Sequence, residues 1–328
     1  MLRLNLISFL LLSLIASQSL AQNPQNPRVV METDRGPIFL QLDADNAPVT
    51  TENFINYVDE GFFDGLIFHR VVDDFVVQGG GFDRNYEYRA PTQPNIVNEG
   101  NNGLLNVERT IAMARASALN SANSQFYFNL GANDNLDGGY AVFGEVIGGW
   151  ATVQEIAGLS TGIQTTPGGN FPDTPMTPPV IQRAYQFSDF PIMSVHSGSW
   201  FDPNNGGVGF NIEVTNQGTE DDQPIVNLYW YDFSEGNQIW LVGTAGFDWG
   251  DSEVTIGLLG VVTPNETTDF QTPPEGSAFT SRGTITVRFN DCNSGQFSYD
   301  LPDFGSGQVD VARLTVPDRI RCDRYQLD

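Results

Sequence analysis

The residue types available for chemistry in this chain are few. Its 328 residues hold two His, two Cys and 15 basic residues, every one of them Arg, against 40 acidic residues. The lack of Lys rules out a Walker-type phosphate loop and a Schiff-base enzyme, so Gly79-Gly80-Gly81 has no lysine to complete a phosphate cradle. Gly158-Leu159-Ser160-Thr161-Gly162 has the letters of a nucleophile elbow. That turn needs a strand before it and a helix after, whereas here a helical pattern precedes and a loop pattern follows. Asp202 to Gly207 lacks the spacing and terminal Glu of a calcium loop and reads as a tight turn, so no metal site is assigned. What remains is a fixed cation among amides. Arg70 lies in Phe68-His69-Arg70-Val71-Val72-Asp73-Asp74-Phe75-Val76-Val77-Gln78-Gly79-Gly80, with Gln78 in the same run and Gln125 downstream.

That run resembles the signature of the cyclophilins, an F-H-R segment followed by F-x-x-Q-G-G. Three more segments follow in the family's order: Thr110-Ile111-Ala112-Met113-Ala114-Arg115, Ser124-Gln125-Phe126-Tyr127-Phe128-Asn129, and Leu136-Asp137-Gly138-Gly139-Tyr140-Ala141-Val142-Phe143-Gly144-Glu145-Val146. Ordered matches of this kind are far more specific than any one of them alone. The resemblance spans Val29 to Phe187 and does not extend further. It implies a closed antiparallel β-barrel with two helices, and peptidyl-prolyl cis-trans isomerase activity on proline-containing polypeptides without a cofactor. It also implies roles: Arg70 catalytic, Gln78 and Gln125 holding the substrate backbone or orienting Arg70. Phe75, Val76, Tyr127 and Leu136 would line the prolyl pocket. The backbone at Ala114 and Arg115 would hold the preceding residues, and Tyr140 sits where the family has His or Tyr.

The chemistry agrees with the residues present. Twisting an X-Pro bond localises a lone pair on the prolyl nitrogen, and a fixed guanidinium donates to that nitrogen only once it is pyramidal. Arg suits this task because it stays charged and presents a rigid fork. No nucleophile or proton shuttle is required. The bland alternative for Arg70 is an ion pair with Asp73 or Asp74; for Phe126 and His69, burial against the barrel. Five positions depart from the family pattern: Asp73-Asp74 for Pro-Gly, Val76 for Met, Arg109 for Gly, and Asn135 for an aromatic that contacts substrate and cyclosporin. These bear on affinity and drug sensitivity, since Arg70 and both Gln residues are kept.

The elements that must position these groups are legible from pattern. Two strands flank Asp34-Arg35-Gly36-Pro37 as a hairpin. Pro48 opens a helix with Thr50 or Thr51 as cap and Phe54, Tyr57 and Val58 on one face, stopped at Gly61. A second helical pattern through Val153 and Ile156 ends at Gly158. Thr165 to Pro179 reads as loop, and Val180 to Phe187 as a closing strand. Residues 188–192 read as a linker with few contacts across it, leading to an all-β accessory domain at 193–328, sandwich or barrel, built on alternation such as Phe210, Ile212, Val214. Its Trp200, Trp230, Trp240 and Trp249 are core or ligand-stacking aromatics, so a surface or glycan ligand is an open alternative to a purely structural role. A rival reading of the whole chain is a binding module that grips Pro-containing segments with little turnover.

Export is expected. Arg3, the apolar run Leu6 to Ile15 and Ser19-Leu20-Ala21 make a signal peptide over residues 1–21, followed by a polar leader over 22–28. The mature chain then has no apolar stretch near 18 residues and does not insert in a membrane; it would be periplasmic or secreted. In such an oxidising compartment Cys292 and Cys322 form a disulfide. A net charge of −25 disfavours nucleic acid and anionic lipid as partners.

Overall fold

The computed structural model describes residues 26–166, 169–216, 223–234, 237–262, 278–317 and 321–327. The signal peptide and the first residues of the leader lie outside the described residues.

The first half is one antiparallel sheet wrapped around a core. In chain order it contains β1 (Arg28–Thr33), β2 (Gly36–Leu42), β3 (Arg70–Val72), β4 (Val76–Gly79), β5 (Thr110–Met113), β6 (Phe126–Asn129), β7 (Val142–Gly148) and, after an inserted hairpin β8 (Thr161–Thr166) and β9 (Gly169–Pro175), β10 (Ile181–Phe187). The strand order is β10-β1-β2-β7-β5-β6-β4-β3. Its edges meet just outside the named strands, where Ile67 bridges Val180. There the Phe68 N–H donates to the Pro179 carbonyl at 3.0 Å and the Ile181 N–H to the Leu66 carbonyl at 2.8 Å. Closure leaves no unpaired edge along that seam. Aromatic rings fill the interior: Phe126 makes edge-on contacts with Phe54 and Phe63 at 5.6 and 5.4 Å.

Helix α1 (Pro48–Asp59) begins on Pro48, whose missing N–H costs nothing at that position. Thr50 and Thr51 do not cap it; both are buried in its first turn. Instead the Glu99 carboxylate accepts from the Val49 and Thr50 N–H groups at 3.1 and 2.8 Å, placing an anion at the positive end of the helix. Helix α2 (Trp150–Ala157) packs on β2 and precedes β8. The G-x-S-x-G run therefore joins a helix to a strand, with Ser160 exposed, opposite to a nucleophile elbow. Much of the stretch read as loop is the β8–β9 hairpin, paired from Thr161↔Pro175 to Thr166↔Gly169. Gly169 and Pro175 are themselves paired, with Thr166 and Thr161, so the Pro and Gly content does not mean an absence of pairing.

The second half settles as a barrel. Strands β11 (Gly198–Phe201), β12 (Gly209–Asn216), β13 (Pro224–Ser234), β14 (Asn237–Gly246), β15 (Glu253–Val262), β16 (Ala278–Phe289), β17 (Ser294–Leu301) and β18 (Gly305–Arg313) pair in sequence. The pairing of Trp200 with Arg313 and Phe201 with Ala312 shuts the ring. Inward residues alternate as expected: Phe210, Ile212 and Val214 are buried while Glu213 faces solvent. Cys292 and Cys322 are disulfide-bonded.

The junction is not a free tether. Phe190 and Ile192 are buried, and the Ile192 N–H donates to the Asp251 carbonyl at 2.8 Å. Val30, Phe39, Tyr185 and Phe187 of the first barrel share one apolar cluster with Val195, Trp200 and Phe289 of the second. The Phe39 ring lies 5.9 Å from Phe190, and Arg183 stacks 3.8 Å over Trp249. At Gly250 (φ +105°) a Cβ would fall 2.1 Å from the Gln186 carbonyl, so only glycine allows the approach. The chain end also returns: Leu327 bridges Gly148, and Arg324 contacts the Arg35 carbonyl and Glu155 of the first barrel. The expectation of few contacts is corrected, because both patterned surfaces continue to the junction and bury each other.

Candidate active site

The adjacent strands β3, β4 and β6 carry Arg70, Val76, Gln78 and Tyr127, and the other residues singled out above lie on the segments that flank the sheet. In the β3–β4 ladder Arg70 lies opposite Gln78, and in the β4–β6 ladder Gln78 lies opposite Tyr127, which in turn pairs with Ala112 of β5. Strand alternation then sorts the side chains. Phe126 and Phe128 enter the barrel core, while Tyr127 points to the other face. On that face Val76, Ala112, Tyr127 and Val142 form a separate buried cluster, with Phe75, Leu104, Ala114, Leu136 and Tyr140 packed against it. The structure thus brings together Phe75, Val76, Ala114, Tyr127, Leu136 and Tyr140. Ala112, Val142 and Leu104 also belong to the cluster. Ala112 and Val142 were readable from alternation within the quoted segments, whereas Leu104 carries no local signal.

Polar groups edge this surface. Arg70 is partly exposed; its Nη1 donates to Gln78 Oε1 across a long 3.5 Å, and Gln78 Nε2 donates to Gln125 Oε1 at 3.0 Å. The Gly-rich run after β4 lets Gln125 sit there. A Cβ on Gly81 would fall 2.7 Å from Gln125 Nε2, and Gly80 (φ +85°) would drive one 2.7 Å from the Ser124 carbonyl. On the other side, Asp173 of the β8–β9 hairpin sets its carboxylate 3.9 Å from Arg70 Nε. Its positive φ of 56° is uncommon for a residue other than glycine. Thr174 of the same strand donates to the His69 carbonyl at 3.1 Å and anchors the hairpin beside β3. Asp173 was missed because its segment reads as loop. Asp73 and Asp74 make no ion pair with Arg70 among the described residues.

Arg115 and Tyr140 form a unit, with the guanidinium 4.4 Å from the ring centre and its Nε donating to the Gly139 carbonyl at 2.8 Å. The Ala114 N–H is taken by the Gln125 carbonyl at 2.9 Å. Beside them, Gln78, Tyr88, Ala114, Arg115, Ser121 and Gln125 line a pocket of about 290 Å³. Beneath the face, the Tyr127 hydroxyl donates to Asn106 Oδ1 at 2.8 Å, and Asn106 Nδ2 donates to Asp137 at 3.0 Å. Burial holds the Tyr127 phenol well above its usual range, so it stays neutral. Asn135 is exposed on the short 3-10 turn that carries Leu136.

His69 is no acid–base catalyst here. It is buried against the Phe82 ring at 4.8 Å, and burial pushes its imidazole down to about 4. An apolar face, a positioned cation and amide donors can hold a polypeptide and act on developing negative charge or a lone pair, with no covalent step.

Comparison with known proteins agrees with this architecture. Residues 28–184 match the family model described as cyclophilin type peptidyl-prolyl cis-trans isomerase/CLD. The chain is 43% identical over 178 residues to peptidyl-prolyl cis-trans isomerase A of Dickeya dadantii, an alignment covering 53% of this chain and 91% of the relative. It is 44% identical over 142 residues to peptidyl-prolyl cis-trans isomerase B of Escherichia coli, covering 41% of this chain and 86% of that protein. Among solved structures, a cyclophilin type isomerase of Cryptosporidium parvum, crystallised in the presence of the dipeptide Ala-Pro, aligns with a TM-score of 0.42 at 22% identity. That alignment covers 49% of this chain and 99% of the other.

Proposed function

Because the chain belongs to the cyclophilin-type peptidyl-prolyl cis-trans isomerases, we propose that Arg70 is its catalytic cation and that the apolar face around Tyr127 receives the prolyl ring. Rotation about an X-Pro bond must break amide resonance, against a barrier of about 18–20 kcal/mol and an uncatalysed time of about 10–100 s. As the bond twists, the prolyl nitrogen becomes pyramidal and its lone pair turns into a hydrogen-bond acceptor. Arg70 donates to it there and not in the planar ground state, so the interaction lowers the barrier rather than tightening substrate binding. Gln78 and Asp173 bound the guanidinium on two sides and limit its reorientation. Gln125 fixes Gln78 and offers its amide to the substrate backbone. Phe75, Val76, Tyr127 and Leu136 exclude water from the ring.

The observation that carries this reading is the meeting of a buried apolar cluster, distinct from the barrel core, with one cation linked through Gln78 to Gln125. In the full chain, Arg70→Ala and Arg70→Lys should lower turnover of a prolyl peptide by ~10²–10³-fold, or about 3–4 kcal/mol. Binding of the same peptide should change much less. Near-normal isomerisation by Arg70→Ala would refute the mechanism and favour a Pro-segment binding module.

The substrates in this reading are proline-containing segments of exported proteins during folding, in the periplasm or outside the cell. Two features support the compartment: the export pattern of residues 1–21 and a disulfide that persists in oxidising surroundings. Mass measurement of the N-terminus of the natural protein tests it. A chain beginning at Gln22 agrees, and a cytosolic chain retaining residues 1–21 rejects it.

A further inference from the structure

The apolar face is assembled from segments far apart in the chain. Phe75 comes from the connection between β3 and β4, Tyr127 from β6, Leu136 from the 3-10 turn Asp134–Leu136, and Leu104 from the segment before β5. Apolar contact alone would leave the spacing of these walls to soft packing. Beneath them, however, lie three buried amides: Asn106 (0% exposed), Asn129 (0%) and Asn133 (5%).

These amides join the walls by directional bonds. Asn106 Oδ1 accepts from the Tyr127 hydroxyl at 2.8 Å and from Asn129 Nδ2 at 3.2 Å. Its Nδ2 and its backbone N–H both donate to Asp137 Oδ1, at 3.0 and 2.7 Å, one residue beyond Leu136. Its carbonyl accepts from the Asn133 N–H at 2.7 Å, and the Asn133 carbonyl accepts from the Leu136 N–H at 2.8 Å. Asn133 Nδ2 donates to Asn129 Oδ1 at 2.7 Å and to the Phe75 carbonyl at 3.0 Å. None of the three amide side chains holds a buried nitrogen or oxygen without a partner. A saturated buried network resists distortion, because moving one wall breaks bonds that water cannot replace. Asn106 is the member that holds both Tyr127 and the turn carrying Leu136.

We propose that Asn106 is a positioning residue that fixes the distance between Tyr127 and Leu136, and thereby sizes the pocket to the five-membered prolyl ring against larger cyclic imino acids. The proposal rests on the reading that this face receives the prolyl ring. One methylene too many is discriminated by about 10- to 200-fold in an apolar pocket whose walls hold their places. Walls free to part lose that selectivity.

The test compares, in the full chain, isomerisation of two peptides that differ only in proline versus pipecolic acid, its six-membered homologue. The ratio of their kcat/KM values does not depend on how much of the protein is folded, so a merely structural defect leaves it unchanged. The wild type should favour the prolyl peptide by at least about 10-fold. Tyr127→Phe keeps the ring, removes the hydroxyl and leaves Asn106 Oδ1 its bond from Asn129, so the fold is retained. It should narrow the ratio about 3- to 10-fold, the range of a single hydrogen bond, through a raised prolyl KM with kcat kept. Asn106→Ala should narrow it at least as far. Phe75→Ala, at a half-buried position, tests the underlying reading separately and should lower prolyl kcat/KM about 10-fold. Undiminished turnover by Phe75→Ala would refute the reading of the face, and the role of Asn106 with it. Lowered turnover there, with an unchanged ratio in Tyr127→Phe and in folded Asn106→Ala, would overturn the role of Asn106 alone, as would a wild type that does not distinguish the two peptides.

Discussion

Removing the second barrel should destabilise the first without altering its chemistry. In a chain ending at Asp189, Val30, Phe39, Tyr185 and Phe187 lose the partners that now bury them to between 0% and 7% exposure. Full burial of one such side chain stabilises by ~1.5–3 kcal/mol. If half of that is lost at each of four residues, the shortened chain is weaker by about 3–6 kcal/mol, a large share of a typical total of ~5–15 kcal/mol. The contacts of Arg324 with Glu155 and the Arg35 carbonyl vanish as well. Urea unfolding of the shortened and full-length chains, followed by loss of isomerase activity on a short prolyl peptide, measures the difference. The apolar cluster of the active face shares no residue with the cluster at the junction, so kcat/KM at low temperature should match the full chain wherever the short one is folded. An unchanged urea midpoint would refute the inference that the shared cluster stabilises the first barrel. Activity that fails in a chain shown to be folded would refute the separation of site from interface.

Acid should weaken the fold before the carboxylates titrate. Burial holds His69 near 4 and His196, stacked 3.8 Å on Phe289, near 3, whereas both take up a proton near 6.5 once unfolded. Their stabilising contribution is therefore present above pH 6.5 and is lost as the pH falls from 6.5 towards 4; for His69 alone it amounts to about 3 kcal/mol. A urea midpoint that stays flat across that window contradicts it. Reducing the Cys292–Cys322 bond should cost about 3–4 kcal/mol in the chain-entropy model and loosen the segment that carries Arg324, with no change in isomerisation by folded protein. Equal urea midpoints for the native chain and a Cys292→Ser, Cys322→Ser variant would exclude this. Asn135 is exposed beside Leu136, so Asn135→Trp should add ~80–100 Å² of apolar contact to cyclosporin, about 2–2.5 kcal/mol or a 30- to 60-fold gain. An unchanged inhibition constant would show that residue 135 does not reach the drug.

What the sequence by itself determined was local. Strand alternation alone separates Phe126 from Tyr127, and Pro48 and Gly61 bracket α1, because side-chain direction and backbone preference act over one or two turns. The family motif carried Arg70, Gln78 and Gln125 together because they lie on or just before neighbouring strands whose short segments are each distinctive. The alternating second half could be read as β, yet sandwich and barrel share that alternation, and only the pairing of β11 with β18 separates them. The tertiary structure decided everything that depends on distant parts of the chain. The cap of α1 comes from Glu99, 49 residues beyond Thr50, and the Thr174 anchor reaches His69 across 105 residues. The carboxylate beside Arg70 sits on a hairpin that its Pro and Gly content disguised as loop. The burial of Phe190 and Ile192 depends on two surfaces facing each other. No local pattern encodes these features, because each exists only after remote segments have closed on one another.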